Sequence, residues 1–166
     1  MSIDANPSVR INIRWSVQRD MEEMLEIEKE SFGRFSWSRD DFMSVMRARN
    51  TIGLIAEIEE KVVGYIVYEL SKTRLAILNL AVDKLYRHKS IGTQLINRIK
   101  EKLRPDARTR IVLHIREGNL NAQLFFKCQG FLATKVIKGF YDDTDEDAYR
   151  FSYRLGQQAR LDTGRG

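Results

Sequence analysis

The chain has 166 residues, 43% hydrophobic and 31% charged, an ordinary globular composition that excludes a low-complexity or fibrous protein. A chain of this length can bury roughly 70% of its unfolded surface, enough for a core without disulfides or metal, and its single cysteine, Cys128, excludes an intrachain disulfide. Lys and Arg total 28 against 23 Asp and Glu, so the net charge of +5 permits an anionic ligand without requiring one.

A lone cysteine fits a reducing compartment. Met1 to Pro7 has no cationic region followed by an apolar run, so no signal peptide is expected. No stretch of 18 apolar residues predicts a transmembrane helix, and the expected address is the cytoplasm with no membrane partner. Residues 1–8 are polar and expected to be loose. One domain is expected over 9–155, followed by a polar, flexible tail over 156–166.

Within that domain, Val9 to Trp15 alternates and predicts a strand. Asp20 with Glu23 has the spacing of a capping box, followed by a helical face of Met21, Met24, Leu25 and Ile27. Ser38 with Asp41 predicts a second cap, before Phe42, Val45 and Met46. Ile52 to Ile58, a turn at Glu59-Glu60-Lys61, and Val62 to Glu69 predict a hairpin. Leu75 to Val82 is nearly continuous apolar sequence, the pattern of a strand buried on both faces. Ile91, Leu95, Ile96, Ile99 and Leu103 mark the next helix, with Pro105 beyond its end. Ile111 to Arg116 predicts a strand, and Asn121 to Gln129 a short helix closed by Gly130. Phe131 to Ile137 and Ala148 to Leu155 predict the last two strands. The order βααβββαβαββ implies a mixed α/β (α+β) domain, with helices on both faces of a mixed sheet.

The chemistry concentrates where the strand ending at Val82 passes through Asp83-Lys84-Leu85-Tyr86-Arg87-His88-Lys89-Ser90 into a helix opening at Ile91-Gly92-Thr93. The opening N–H groups of a helix lack intrahelical partners, and the macrodipole adds positive charge there. This is an anion site, to which Arg87, His88 and Lys89 add donors. No Gly-Lys-Ser/Thr makes it a P-loop, and no Gly-x-Gly-x-x-Gly makes it a dinucleotide fingerprint. The plain alternative is a basic, solvated helix start.

His114 is the second candidate. Ile111, Leu113 and Ile115 share one face of their strand, and Val112, His114 and Arg116 the other. An imidazole on the less apolar face can take a proton near neutral pH. The plain alternative is a hydrogen-bonded structural histidine. Cys128 reads as a buried, inert thiol rather than an acyl carrier. No His/Cys/Asp/Glu cluster has metal-ligand spacing, so no metal is expected. The acidic run Asp142 to Asp147 reads as a solvated hairpin tip, or as an attractor of basic peptide. The basic stretch from Arg87 to Arg110 lacks the aromatic interleaving of a stacking platform, which argues against nucleic acid.

Arg87-His88-Lys89-Ser90-Ile91-Gly92 resembles the Arg/Gln-x-x-Gly-x-Gly/Ala loop of the GCN5-related N-acetyltransferases (GNAT). Phe35-Ser36-Trp37-Ser38 resembles the Phe-Pro-Trp-Ser segment of the RimI-type ribosomal protein alanine acetyltransferases, and Asn79-Leu80-Ala81-Val82-Asp83 their Asn-Ile-Ala-Val-Asp strand. Asn119, Phe125-Phe126 and Gly130-Phe131 are similar to Asn…Leu-Tyr…Gly-Phe. Phe140-Tyr141 and Glu146-Asp147-Ala148 are similar to Tyr-Tyr…Glu-Asp-Ala of protein N-terminal acetyltransferases. The match covers about residues 10–155.

The resemblance implies a GNAT fold with a mostly antiparallel sheet of about six or seven strands, splayed between the fourth and fifth, and about four helices. It implies acetyl transfer from acetyl-coenzyme A to the α-amine of a protein N-terminus, a ribosomal protein among the possible acceptors. Leu80, Ala81, Val82, Arg87, His88, Lys89, Ser90, Ile91, Gly92, Thr93, Asn119 and Phe126 would then hold the coenzyme. His114 would be the base, and Phe35 and Tyr141 would line the acceptor entry. Ser90 stands where the family has glycine. Phe126 stands where it has a proton-donating tyrosine, so Tyr65, Tyr86 and Tyr141 are substitutes to consider. A small-molecule amine, a lysine acceptor or a non-catalytic acyl-CoA-binding module remain alternatives, and the oligomeric state is open.

Overall fold

The computed structural model describes residues 10–156. The expectations for the loose first eight residues and for the tail beyond Gly156 fall outside the described residues. Seven strands and four helices follow the predicted order: β1 (Asn12–Trp15), α1 (Met21–Phe32), α2 (Arg39–Met46), β2 (Thr51–Ile58), β3 (Lys61–Leu70), β4 (Arg74–Val82), α3 (Ile91–Lys100), β5 (Arg110–Arg116), α4 (Leu120–Cys128), β6 (Leu132–Ile137) and β7 (Ala148–Arg154). The strands form one sheet in the order β1-β2-β3-β4-β5-β7-β6. It is mostly antiparallel, with β4 and β5 a parallel pair joined in register at Arg74↔Arg110, Leu75↔Ile111 and Ala76↔Val112.

The chain divides into two compact units. One holds the residues up to Val67 together with Asn79–Leu95. The other holds Tyr68–Leu78 and the residues from Ile96 onward. In the first, Met24 and Ile27 of α1 and Phe42 of α2 bury against Ile55, Val62, Tyr65, Val67 and Ala81. Trp37 and Tyr65 each meet Phe42 edge to face, at 5.2 and 5.6 Å. In the second, Phe126 meets Phe125 and Phe131 edge to face at 5.1 and 5.2 Å.

Local signals explain the element ends. Ser38 Oγ accepts the Asp41 N–H at 3.1 Å, and the Asp41 carboxylate accepts the Ser38 N–H at 2.7 Å, the reciprocal box its spacing predicts. Glu59 and Glu60 both take positive φ (49° and 67°), as a two-residue hairpin turn demands. Gly130 (φ 89°) closes α4, its N–H reaching Lys127 carbonyl and the Phe131 N–H reaching Phe126 carbonyl, both at 3.0 Å.

Three expectations are corrected. Asp20 and Glu23 do not cap α1 together. The Asp20 carboxylate binds the Arg14 guanidinium at 2.8 Å through both oxygens and the Val17 N–H at 2.7 Å, while Glu23 accepts the Val62 N–H at 3.0 Å. The strand buried on both faces is β3, continuously from Val62 to Tyr68, rather than β4. In β4, Leu75, Ile77, Asn79 and Ala81 are buried, whereas Leu78 is exposed. Cys128 is exposed rather than buried.

Candidate active site

The basic loop belongs to the first unit. After β4, Asp83 accepts the Leu85 N–H at 2.9 Å and starts a single turn over Lys84–Tyr86. His88 (φ 60°) and Ser90 (φ 64°) then both adopt the left-handed region. The first bond of α3 runs from the Gln94 N–H to the Ser90 carbonyl at 2.9 Å, so the N–H groups of Ile91 and Gly92 lie ahead of it, at the positive end of the helix. Arg87 to Ser90 are exposed, Gly92 and Thr93 half-buried, and the Ile91 side chain is buried as an anchor. Arg87 Nε donates to Val82 carbonyl at 3.0 Å and Nη2 to Ser31 Oγ at 3.2 Å, fixing the loop to the ends of β4 and α1. Lys84 pairs with Glu30 at 2.9 Å, which raises the lysine pKa. The Lys61 and Lys89 ammonium groups lie 5.3 and 5.4 Å from the Tyr86 ring centroid. Exposed backbone donors, a helix N-terminus and clustered cations fit a pyrophosphate-bearing ligand.

The same unit holds a site that the sequence reading missed. Glu28 on α1 is 1% exposed. Its carboxylate accepts the Trp37 N–H at 2.7 Å, Asn79 Nδ2 at 3.0 Å and the Tyr65 hydroxyl. Burial, then the neighbouring Glu28 charge, pushes the Tyr65 pKa far up, so its hydroxyl keeps its proton. Phe35 is half-buried in the adjoining turn, with the Arg34 guanidinium 4.7 Å from its ring.

His114 belongs to the second unit. It is exposed on β5, with the Phe140 ring stacked on it at 4.9 Å and 22°. Arg150 lies directly opposite on β7, its Nε making a long 3.5 Å contact to His114 Nε2. Protein packed around the ring, then the charges of Arg150 and Arg74, lower the imidazole pKa below its ordinary 6.5. The ring is therefore neutral at pH 7 and able to accept a proton.

Beside it, the acidic connector between β6 and β7 exposes Asp142, Asp143 and Asp145, while cations hold part of its charge. Arg116 grips Asp143 through both nitrogens (3.0 and 2.9 Å), reaches Thr144 at 3.1 Å and Glu146 at 3.5 Å, and lies 3.9 Å from the Tyr141 ring centroid. Lys138 pairs with Asp147 at 2.9 Å. Arg116 lowers the Asp143 pKa, and the Gly139 N–H and Lys138 lower that of Asp147. Half-burial raises the Tyr141 pKa, keeping that phenol protonated.

Asn119 caps α4, its Oδ1 accepting the Ala122 N–H at 3.1 Å. Phe126 is buried in its aromatic cluster. Thus the structure joins Tyr141, through Phe140, to His114, while Asn119 and Phe126 serve α4 and its core. Among the described residues no group of three His, Cys, Asp or Glu could hold a metal, and no helix is long and apolar enough to cross a membrane.

The model of the acetyltransferase (GNAT) family matches residues 18–131. The chain belongs to that family. As a GNAT protein it is an acetyltransferase, and the relatives that match it carry N-acetyltransferase names. It is 28% identical over 135 residues to an uncharacterized N-acetyltransferase of Methanocaldococcus jannaschii, covering 81% of this chain and 86% of the relative. It is 28% identical over 130 residues to a Bacillus subtilis protein whose assignment as a ribosomal protein bS18-alanine N-acetyltransferase is provisional, covering 78% and 85%. The structure of Arabidopsis thaliana NAA60 in complex with acetyl-CoA superposes with a TM-score of 0.76 at 19% identity, over 88% of this chain and all of that one (100%). At that identity the match speaks for the GNAT fold.

Proposed function

We propose that this GNAT protein moves acetyl from acetyl-coenzyme A to the N-terminal α-amine of a protein, in the manner of the RimI-type enzymes, and that it works in the cytoplasm with a ribosomal protein among its candidate acceptors. The observation that carries the reading is His114, an exposed imidazole kept neutral at pH 7 and covered by Phe140 beside Tyr141. The Bacillus subtilis relative, by its provisional assignment, points the same way.

In this reading the backbone of Ser90 to Thr93, the cations Arg87 and Lys89 and the His88 ring hold the pyrophosphate. The backbone of Leu80 to Val82 and the Asn119 amide orient the pantetheine arm, with Phe126 packing behind it. Acetyl-coenzyme A supplies the thioester carbonyl. His114 takes one proton from the acceptor ammonium, and Phe35 and Tyr141 orient the amine for attack. Phe126 has no proton to give the departing thiolate, whereas Tyr141 keeps its proton at neutral pH.

Purified protein with acetyl-CoA and a peptide panel tests this by mass spectrometry. Acetylation at α-amines, against none on lysine side chains or polyamines, is the expected result. Acetylation confined to lysine or small amines would overturn it.

Ser90 carries a second prediction. A left-handed serine costs about 1–2 kcal/mol, of which glycine's extra chain entropy returns about 0.5–1 kcal/mol. Ser90→Gly should raise Tm by about 2 °C and tighten coenzyme A binding in calorimetry. Weaker binding would mean that the serine hydroxyl is itself a ligand donor.

A further inference from the structure

Strand register in the second unit puts an unusual set of charges on one sheet face. Residues directly opposite on neighbouring strands share a face. Arg74, Arg110 and Arg154 form one such row across β4, β5 and β7. His114, Arg150 and Lys135 form another across β5, β7 and β6. Between them lies a row of Ala76, Val112, Ser152 and Leu132, uncharged throughout. Arg74, His114, Lys135 and Arg154 are exposed, and Arg110 and Arg150 half-buried. Like charges directly opposite one another destabilise a sheet. An anion set between the rows meets Arg74 and Arg110 on one side and Arg150 and Lys135 on the other. The field is felt at His114, where both resolved charge influences come from cations, Arg150 and Arg74.

We infer that this face binds acidic side chains of the acceptor polypeptide just downstream of its N-terminus. The inference rests on the reading of His114 as the base that meets the acceptor amine. From the His114 row to the Arg110 row is four residues of strand, about 13 Å. An extended peptide covers that distance in about four residues. An acceptor with its amine at His114 thus carries Asp or Glu within about its first five residues, first against Arg150 and Lys135, then against the arginine row. Guanidinium groups grip carboxylates bidentately, which suits this occupant. Nucleic acid suits it less. The rings of β7 (Tyr149, Phe151 and Tyr153) lie opposite Ile115, Leu113 and Ile111, on the other face, so these strands offer no stacking platform here.

The test uses the full chain and three peptides identical except at residues 3–5, which are acidic, amide or basic. The expected kcat/KM order is acidic over amide over basic. In Arg74→Gln/Lys135→Gln the acidic-to-amide ratio should fall about tenfold, two charge contacts at about threefold each. A ratio near one in the unsubstituted protein, or one that the double variant leaves unchanged, overturns the inference while leaving N-terminal acetylation standing. Binding of an N-acetylated acidic peptide, read by fluorescence anisotropy and by an upward shift of the His114 titration in NMR, keeps the two failures apart. Such binding without acetylation of any N-terminus would sink the activity and retain the face. Displacement of that peptide by duplex RNA at lower concentration than by the amide peptide would assign the face to nucleic acid and overturn the inference.

Discussion

His114→Gln is expected to lower kcat/KM for N-terminal acetylation about a hundredfold at pH 7 and to abolish the acid limb of its pH profile. The sign follows from the surroundings of the ring. Packing around it, together with Arg150 and Arg74, disfavours imidazolium, so the pKa lies below 6.5. Above that value the ring is neutral and can accept a proton. As pH falls through it, the base is lost and the rate falls. The acid limb due to the enzyme therefore lies below pH 6.5. An acceptor α-ammonium titrates near 7.7–8.0, more than about one unit higher. Proton transfer to His114 is thus uphill, and the base matters most where the amine is still protonated. At pH 9 the amine is already neutral, so the defect of His114→Gln should shrink severalfold. Arg150→Gln, which removes the nearest cation, should move the limb back toward 6.5. A variant profile that keeps both the rate and the limb would show that His114 is not the base.

The motifs that place the loop and the strand order were legible because each is local. The Ser38–Asp41 box, Gly130 after α4 and the apolar run before Lys84 need only neighbouring residues to act. Asp20 and Glu23 misled because their spacing is local but their partners are not. Arg14 and the Val62 N–H come from strands six and 39 residues away. Burial on β3 and β4 failed for a related reason. Both are rich in apolar residues, and which one is covered depends on where α1 and α2 come to rest. The acidic connector read as free charge because the cation that holds Asp143 and Glu146, Arg116, sits on β5, 27 residues before Asp143. Arg150 reaches His114 through the β5–β7 register and Phe140 through the β6–β7 connector, neither of which spacing encodes. Glu28 did leave a signal. It falls seven residues after Met21 and four after Met24, on the apolar stripe of α1, and a carboxylate there asks for buried donors.

Those donors give Glu28 a large expected effect on stability. Three groups from three parts of the chain converge on one carboxylate: the Trp37 N–H, Asn79 Nδ2 and the Tyr65 hydroxyl. A carboxylate is acceptor-only with about four lone-pair directions, so it can satisfy all three at once. Removing it leaves three buried donors unmet, at about 1–3 kcal/mol each, partly offset because a buried charge no longer has to be desolvated. Glu28→Ala should therefore cost about 4 kcal/mol net and lower Tm by roughly 8–16 °C. Tyr65→Phe, which removes a single donor, should cost about 1 kcal/mol. Glu28→Gln keeps the volume but turns one acceptor into a donor, so it should fall between the two. The Trp37 N–H ties the carboxylate to the turn that carries Phe35. In Glu28→Gln, then, the acceptor KM should rise more than the acetyl-CoA KM. A Glu28→Ala protein that melts within a degree or two of the unsubstituted chain would show that the three donors find other partners, and that the carboxylate is not what fixes the turn.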